Sequence, residues 1–170
     1  MLGPAILTMD LYIMRHGIAE DQSHSGADRD RALTSEGIEK TKASAEALKN
    51  LGVEFNLILT SPYTRALETA RIVSKALDCE LKEFAPLAAG GNPDRVFQAL
   101  TDLDSKFESL LLVGHEPDLS RLISIFLSGS EDLSLTMKKG GFCRLSCLKL
   151  APGQARLEWL LAPKHLVKMA

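Results

Sequence analysis

Three short apolar runs, each delivering polar residues to the start of a helical stretch, constrain the fold of this chain more than any other feature. The first, residues 11–14, ends in Arg15-His16-Gly17. The second, residues 56–60, ends in Ser61-Pro62 with Arg65 in the first helical turn, and the third, residues 110–113, ends in Gly114-His115-Glu116-Pro117. Repetition of strand, polar group and helix predicts an α/β protein. In an open α/β sheet, ligands bind beyond the carboxyl ends of the strands, so Arg15, His16, Arg65 and His115 can converge although they are distant in sequence.

The chemistry of those four residues suits a phosphoryl group. A guanidinium presents forked N–H donors that match phosphate oxygens, a neutral imidazole can attack phosphorus, and a glycine such as Gly17 lets the backbone approach a ligand closely. Arg65 adds an independent hint. A cation in the first turn of a helix faces the positive end of the dipole and is misplaced unless an anion also sits there. Pairing with Glu68 on the helix surface is the alternative reading of Arg65, and a buried, hydrogen-bonded ring is the alternative reading of His115.

With these residues in view, the chain resembles the histidine phosphatase superfamily, also called phosphoglycerate mutase-like. The matching positions are Arg15-His16-Gly17, Leu33-Thr34-Ser35-Glu36-Gly37, Ser61-Pro62 with Arg65-Ala66 and Glu68-Thr69, and Gly114-His115, in the family's order along most of the chain. The resemblance implies a three-layer α/β/α sandwich with a mostly parallel central sheet. It implies His16 as the phosphate-accepting nucleophile and Arg15, Arg65 and His115 as phosphate ligands, with Gly17 and Ser61 among the substrate-binding positions. Length (170 residues, no long insertion), Ile13-Met14-Arg15-His16-Gly17 and the closing residues 162–169 are similar to the SixA-type phosphohistidine phosphatases.

Composition narrows the partners. At 170 residues and 45% hydrophobic content, one domain with a real core is expected, taken as residues 9–170, with residues 1–8 a dispensable extension. A net charge of −2 supplies no basic field for nucleic acid. No apolar stretch is long enough for a membrane span and no charged secretory start is present, so a cytoplasmic monomer is expected. Among the three cysteines, Cys143 and Cys147 fall on one face of a strand about 13 Å apart, too far to bridge. Buried reduced thiols are expected. No metal and no organic cofactor is expected.

Periodicity predicts helices over residues 35–51, capped by Thr34 or Ser35 and stopped at Gly52, and over 64–77. Further helices are expected from Asn92-Pro93 and from Pro117 to Gly129. Strands are expected at 80–83, 142–150 and 155–161, the last two joined as an antiparallel hairpin through Ala151-Pro152-Gly153-Gln154. Residues 20–30 read as a mobile loop at the mouth of the site and 129–141 as a rim loop carrying Lys138 and Lys139. His24 and His165 read as solvated histidines.

The expected mechanism has two steps: neutral His16 attacks phosphorus while Arg15, Arg65 and a cationic His115 hold the oxygens, and water then cleaves phospho-His16. The two histidine titrations are expected to be pushed apart. Mutases and phosphomonoesterases of the family carry a carboxylate where this chain reads Ala85-Pro86-Leu87-Ala88-Ala89-Gly90-Gly91. An imidazole leaving group tolerates that absence better than an alkoxide does, which favours a phosphohistidine-bearing protein as substrate. Glu116 is the candidate general acid, or else caps the helix that follows. Two other readings stay open: a small-molecule phosphomonoesterase using Glu116, and a non-catalytic phosphate- or phosphoprotein-binding module.

Overall fold

The computed structural model describes residues 9–103 and 107–170; the expectation that residues 1–8 are dispensable lies outside the described residues. The apolar runs at residues 11–14, 57–59 and 110–113 become strands covered on both faces, and mixed or partly exposed segments supply the other strands of the sheet. The strands are β1 (Met9–Arg15), β2 (Leu57–Thr60), β3 (Leu81–Glu83), β4 (Ser109–Gly114), β5 (Phe142–Cys147) and β6 (Ala155–Leu161), in the order β3-β2-β4-β1-β5-β6. The first four run parallel, β5 is antiparallel to β1, and β6 is antiparallel to β5.

Helices α1 (Ser35–Asn50), α2 (Thr64–Leu77) and α5 (Pro163–Met169) cover one face of the sheet, and α3 (Pro93–Thr101) and α4 (Asp118–Ser128) cover the other. Alternate residues of each strand feed the two cores. Leu11, Ile13, Leu57, Leu59, Leu110 and Leu112 pack with Val96, Phe97, Leu122 and Phe126 of α3 and α4. Tyr12, Met14, Ile58, Leu111 and Val113 pack with Ala45 and Leu48 of α1, Ala66, Ala70 and Val73 of α2, and Leu166 of α5. The result is the expected three-layer sandwich.

Local signals explain the helix ends. Thr34 Oγ1 accepts the Gly37 N–H at 3.0 Å and caps α1, and Asn92 Oδ1 caps α3 from ahead of Pro93. Gly129, at φ +82°, closes α4 in the left-handed region where glycine carries no Cβ penalty.

The hairpin forms, but β5 ends at Cys147, not at residue 150. Its turn is wider than the Pro-Gly signal suggests, because Leu148 N–H still reaches Gln154 O at 2.9 Å. A register shift between Arg144 and Leu145 bends the pair. Cys143 and Cys147 point into the same core, both thiols are free, and burial pushes each up to about 12. Among the described residues, no helix is long and apolar enough to cross a membrane.

Candidate active site

Strand order sets the site. β2, β4 and β1 are adjacent and parallel, so the residues just past their carboxyl ends, Ser61, His115 and His16, stand side by side. The ladder continues one residue beyond each strand end: His16 N–H donates to Gly114 O at 3.1 Å and Ser61 N–H to Val113 O at 2.9 Å. The backbone under these side chains is therefore as rigid as the sheet. The His16 and His115 rings lie 5.1 Å apart between centroids, and both residues, with Arg65 and Ser61, are buried.

The His16 tautomer is fixed from two sides. Nδ1 lies 2.7 Å from Gly17 O, a group that can only accept, so Nδ1 carries the proton. Arg65 Nε–H donates to Nε2 at 3.2 Å, which requires a lone pair there. The nucleophilic atom is therefore Nε2. Burial pushes the ring down to about 4; the hydrogen bond to Gly17 O opposes it, and the smaller effects of the Arg65 and Arg15 charges add to the burial, so the ring stays neutral at physiological pH.

His115 is bound differently. Its Nε2 lies 2.7 Å from Ser61 Oγ, and that oxygen already accepts the Tyr63 N–H at 3.2 Å. The hydroxyl proton has no other partner among the described residues, so it donates to Nε2 and leaves the ring proton on Nδ1. Nδ1 is buried without a partner, a donor available to a ligand oxygen. Ser61, expected to touch substrate, orients His115 instead. The expectation of a cationic His115 is also corrected. Burial, with His16, Arg65 and Arg15 nearby, pushes it down to about 3, so the two titrations are depressed together instead of separated. An arriving phosphate dianion is the charge that would raise it.

Arg15 donates from Nη1 to Met137 O at 2.8 Å, while its Nε is buried and unpartnered. The Met137 segment is itself held by Glu116, whose Oε1 accepts from Met137 N at 3.0 Å and from Ser120 Oγ at 2.7 Å, with Oε2 3.4 Å from Ser120 N. Glu116 thus caps α4 and straps the rim that positions Arg15. The acid-free stretch expected from residues 85–91 lies beside His115: Pro86, Leu87 and Gly91 join Val96, His115 and Asp118 along a shallow cleft. Gly90 N–H is held there by Asp118 at 2.7 Å.

Gly17 has a different role from the one its sequence context suggests. Its N–H donates to Thr69 Oγ1 at 3.0 Å and its carbonyl holds the His16 ring, so neither group is left for a ligand. Glycine is required because a Cβ would lie 2.7 Å from Thr41 Oγ1 and 3.2 Å from Leu33 Cδ2. Arg65 does not pair with Glu68 either. Glu68 accepts the Leu33 N–H at 2.7 Å and so anchors the chain leading into α1.

One site residue escapes the sequence reading. Asp28, inside the polar segment 20–30, opens a short 3-10 turn and pairs with Arg65, Nη2 to Oδ2 at 3.0 Å. The segment is at the mouth of the site, as expected, but it is tied down there. Lys139 is close enough to depress His16, whereas His24 and His165 are exposed. Among the described residues, no group of three or more His, Cys, Asp or Glu side chains is arranged to hold a metal ion.

Comparison with known proteins adds three findings. A family model described as the histidine phosphatase superfamily (branch 1) matches residues 11–88. The phosphohistidine phosphatase SixA of Escherichia coli is 29% identical over 167 residues, covering 95% of this chain and 98% of the relative; a SixA homolog of Haemophilus influenzae is 33% identical over 126 residues, covering 68% and 76%. A solved structure of the protein histidine phosphatase SixA complexed with tungstate superposes with a TM-score of 0.79 at 26% identity, over 93% of this chain and 99% of that one.

Proposed function

We propose, for a chain that belongs to the histidine phosphatase superfamily in its SixA-type branch, that it hydrolyses phosphohistidine on protein substrates through a phospho-His16 intermediate. The SixA relatives and the SixA structure support a phosphatase of the histidine phosphatase type. The observation that carries the mechanism is the doubly fixed tautomer of His16, which keeps a lone pair on Nε2 beside the Arg65 Nε–H.

Nε2 attacks phosphorus in line, and the N–P or O–P bond opposite breaks with its electron pair leaving on the departing atom. Arg65, Arg15 Nε–H and His115 Nδ1–H donate to the non-bridging oxygens, whose charge must be stabilised through a metaphosphate-like transition state. Water then attacks phospho-His16 and the N–P bond breaks, returning the pair to Nε2 and releasing phosphate. The charges in this scheme are balanced by two guanidiniums and need neither metal nor organic cofactor.

The substrate class follows from proton demand. An alkoxide leaving group needs an acid at its oxygen; a phosphohistidine ring whose second nitrogen carries a proton leaves as neutral imidazole, with no acid needed at the breaking N–P bond. Residues 85–91 contain no acid, and both Glu116 oxygens are engaged with Ser120 and Met137. Similarity to the phosphohistidine phosphatase SixA and its homolog supports the same substrate class. The test is rapid-quench labelling with a phosphohistidine protein. Acid-labile, base-stable phosphate on His16, lost in His16→Ala, is expected, together with slow turnover of alkyl phosphates. Brisk alkyl phosphate hydrolysis with phosphohistidine protein left intact would overturn the substrate assignment, and an unlabelled His16 would overturn the mechanism.

A further inference from the structure

We propose that Asp28 is a positioning residue for catalysis, acting through Arg65. This rests on the reading that Arg65 and His16 hold the transferred phosphoryl group. The guanidinium of Arg65 has two hydrogen-bonding edges, and the structure uses them differently. The outer edge is closed by one residue: Nη1 donates to the Asp28 main-chain oxygen at 2.8 Å and Nη2 to Asp28 Oδ2 at 3.0 Å. The inner edge, Nε with the second Nη2 proton, faces His16 Nε2, where Nε already donates at 3.2 Å. A phosphoryl group on Nε2 meets that inner edge.

Asp28 therefore sets the rotation of the guanidinium plane while keeping the inner edge turned toward His16 Nε2. The arrangement also answers the unfavourable placement of Arg65 in the first turn of α2. Its side chain is only 5% exposed, and an ionised carboxylate compensates a charge that the helix terminus opposes. Asp28 is suited to this. Although burial acts against it, hydrogen bonds and charge from Arg65 and Arg31 hold its carboxyl below the usual carboxylate range. Its second oxygen forms an ion pair with Arg31, 2.9 Å from Nε, and Arg31 Nη1 donates to Glu20 O at 3.1 Å. The two ends of the polar segment are thus drawn together around the residue that aims Arg65.

A carboxylate that aims an arginine and one that competes with phosphate for it make opposite predictions. Asp28→Ala is expected to slow phosphorylation of His16 at saturating substrate about 10- to 100-fold, the scale of a small misplacement of a catalytic group, and to weaken tungstate binding about tenfold. Asp28→Asn keeps an acceptor for Nη2 and should recover most of the labelling rate, which a merely structural residue would not require. In an Arg65→Ala background, Asp28→Ala should add less than about twofold, because two residues acting through one group are not additive. Wild-type labelling in Asp28→Ala, tighter tungstate binding, or additivity with Arg65→Ala would each overturn the proposal. If wild type itself never labels His16, the phosphatase mechanism fails separately. Calorimetric tungstate affinity then still decides the role of Asp28, since unchanged affinity in Asp28→Ala overturns it.

Discussion

Glu116 separates the two substrate classes, and the structure says how its substitutions should behave. In Glu116→Gln, the remaining carbonyl oxygen can accept from Ser120 Oγ and Met137 N as Oε1 does at 2.7 and 3.0 Å. The new amide replaces Oε2, whose only partner is a long 3.4 Å contact with Ser120 N. What is lost is the charge-assisted part of these bonds, about 1 kcal/mol, which converts to roughly fivefold in rate if all of it reaches the transition state. Glu116→Ala removes the acceptor altogether. Met137 N–H is left unpaired at a cost of about 1–3 kcal/mol, the rim slackens, and Arg15 loses the fixed carbonyl that orients it. A loss of about 5- to 150-fold follows from that range. Because a strap acts before any leaving group is chosen, both variants should slow phosphohistidine protein and alkyl phosphate by similar factors in steady-state assays. A general acid behaves otherwise. If Glu116→Gln costs alkyl phosphate hydrolysis about 10²- to 10⁴-fold while phosphohistidine turnover stays near wild type, the strap assignment is wrong and the phosphomonoesterase reading replaces it.

Gly37→Ala should destabilise the protein by at least about 3 kcal/mol in urea unfolding, because the added Cβ meets the Ile18 main chain, including its carbonyl carbon at 2.9 Å and nitrogen at 3.1 Å; a change under 1 kcal/mol would contradict the packing of α1 on this segment. Ser61→Ala frees His115 Nε2 and should lower the rate of His16 labelling about 10-fold, roughly the value of one hydrogen bond, with little change in thermal midpoint. Stability should fall on acidification from near pH 6.5 toward 4 and below. His16 and His115 are held near 4 and 3 in the folded state, so the unfolded chain takes up their protons first. The slope is about 1.4 kcal/mol per pH unit for each ring, and His115→Ala should flatten it in urea titrations at several pH values.

The fold is legible because β1, β2 and β4 are built on unbroken apolar runs and the helices carry their own punctuation. Thr34, Asn92 and Gly129 cap or stop helices where the sequence places them. The exceptions are informative. The end of β5 is set by the long-range reach of Leu148 to Gln154, and the register shift at Arg144/Leu145 by fitting a twisted edge pair, neither of which is written in local composition. Helix α5 is short and carries a single buried anchor, Leu166, so its sequence has no strong period to read.

At the site, residue identity was readable and direction was not. Arg15, His16, Arg65 and His115 announce phosphate chemistry by type and by their place at strand ends. Whether a side chain touches substrate or another side chain depends on rotamers and tautomers that only packing decides. Gly17 and Ser61 accordingly moved from substrate contacts to supports for His16 and His115. Asp28 was hidden because a carboxylate in a charged, exposed segment looks like any solvated loop residue; only the pairing with a buried arginine 37 positions away distinguishes it. Two buried N–H groups of the site, Arg15 Nε and His115 Nδ1, have no partner among the described residues. Each costs about 1–3 kcal/mol to leave unmade, and the His16 nitrogen is kept unprotonated chiefly by burial, with the neighbouring cations adding to it. Donors short of acceptors beside two guanidiniums suit an oxyanion. Because the donors are already fixed by the sheet, the strap at Glu116 and the carboxylate of Asp28, little reorganisation remains for the reaction itself.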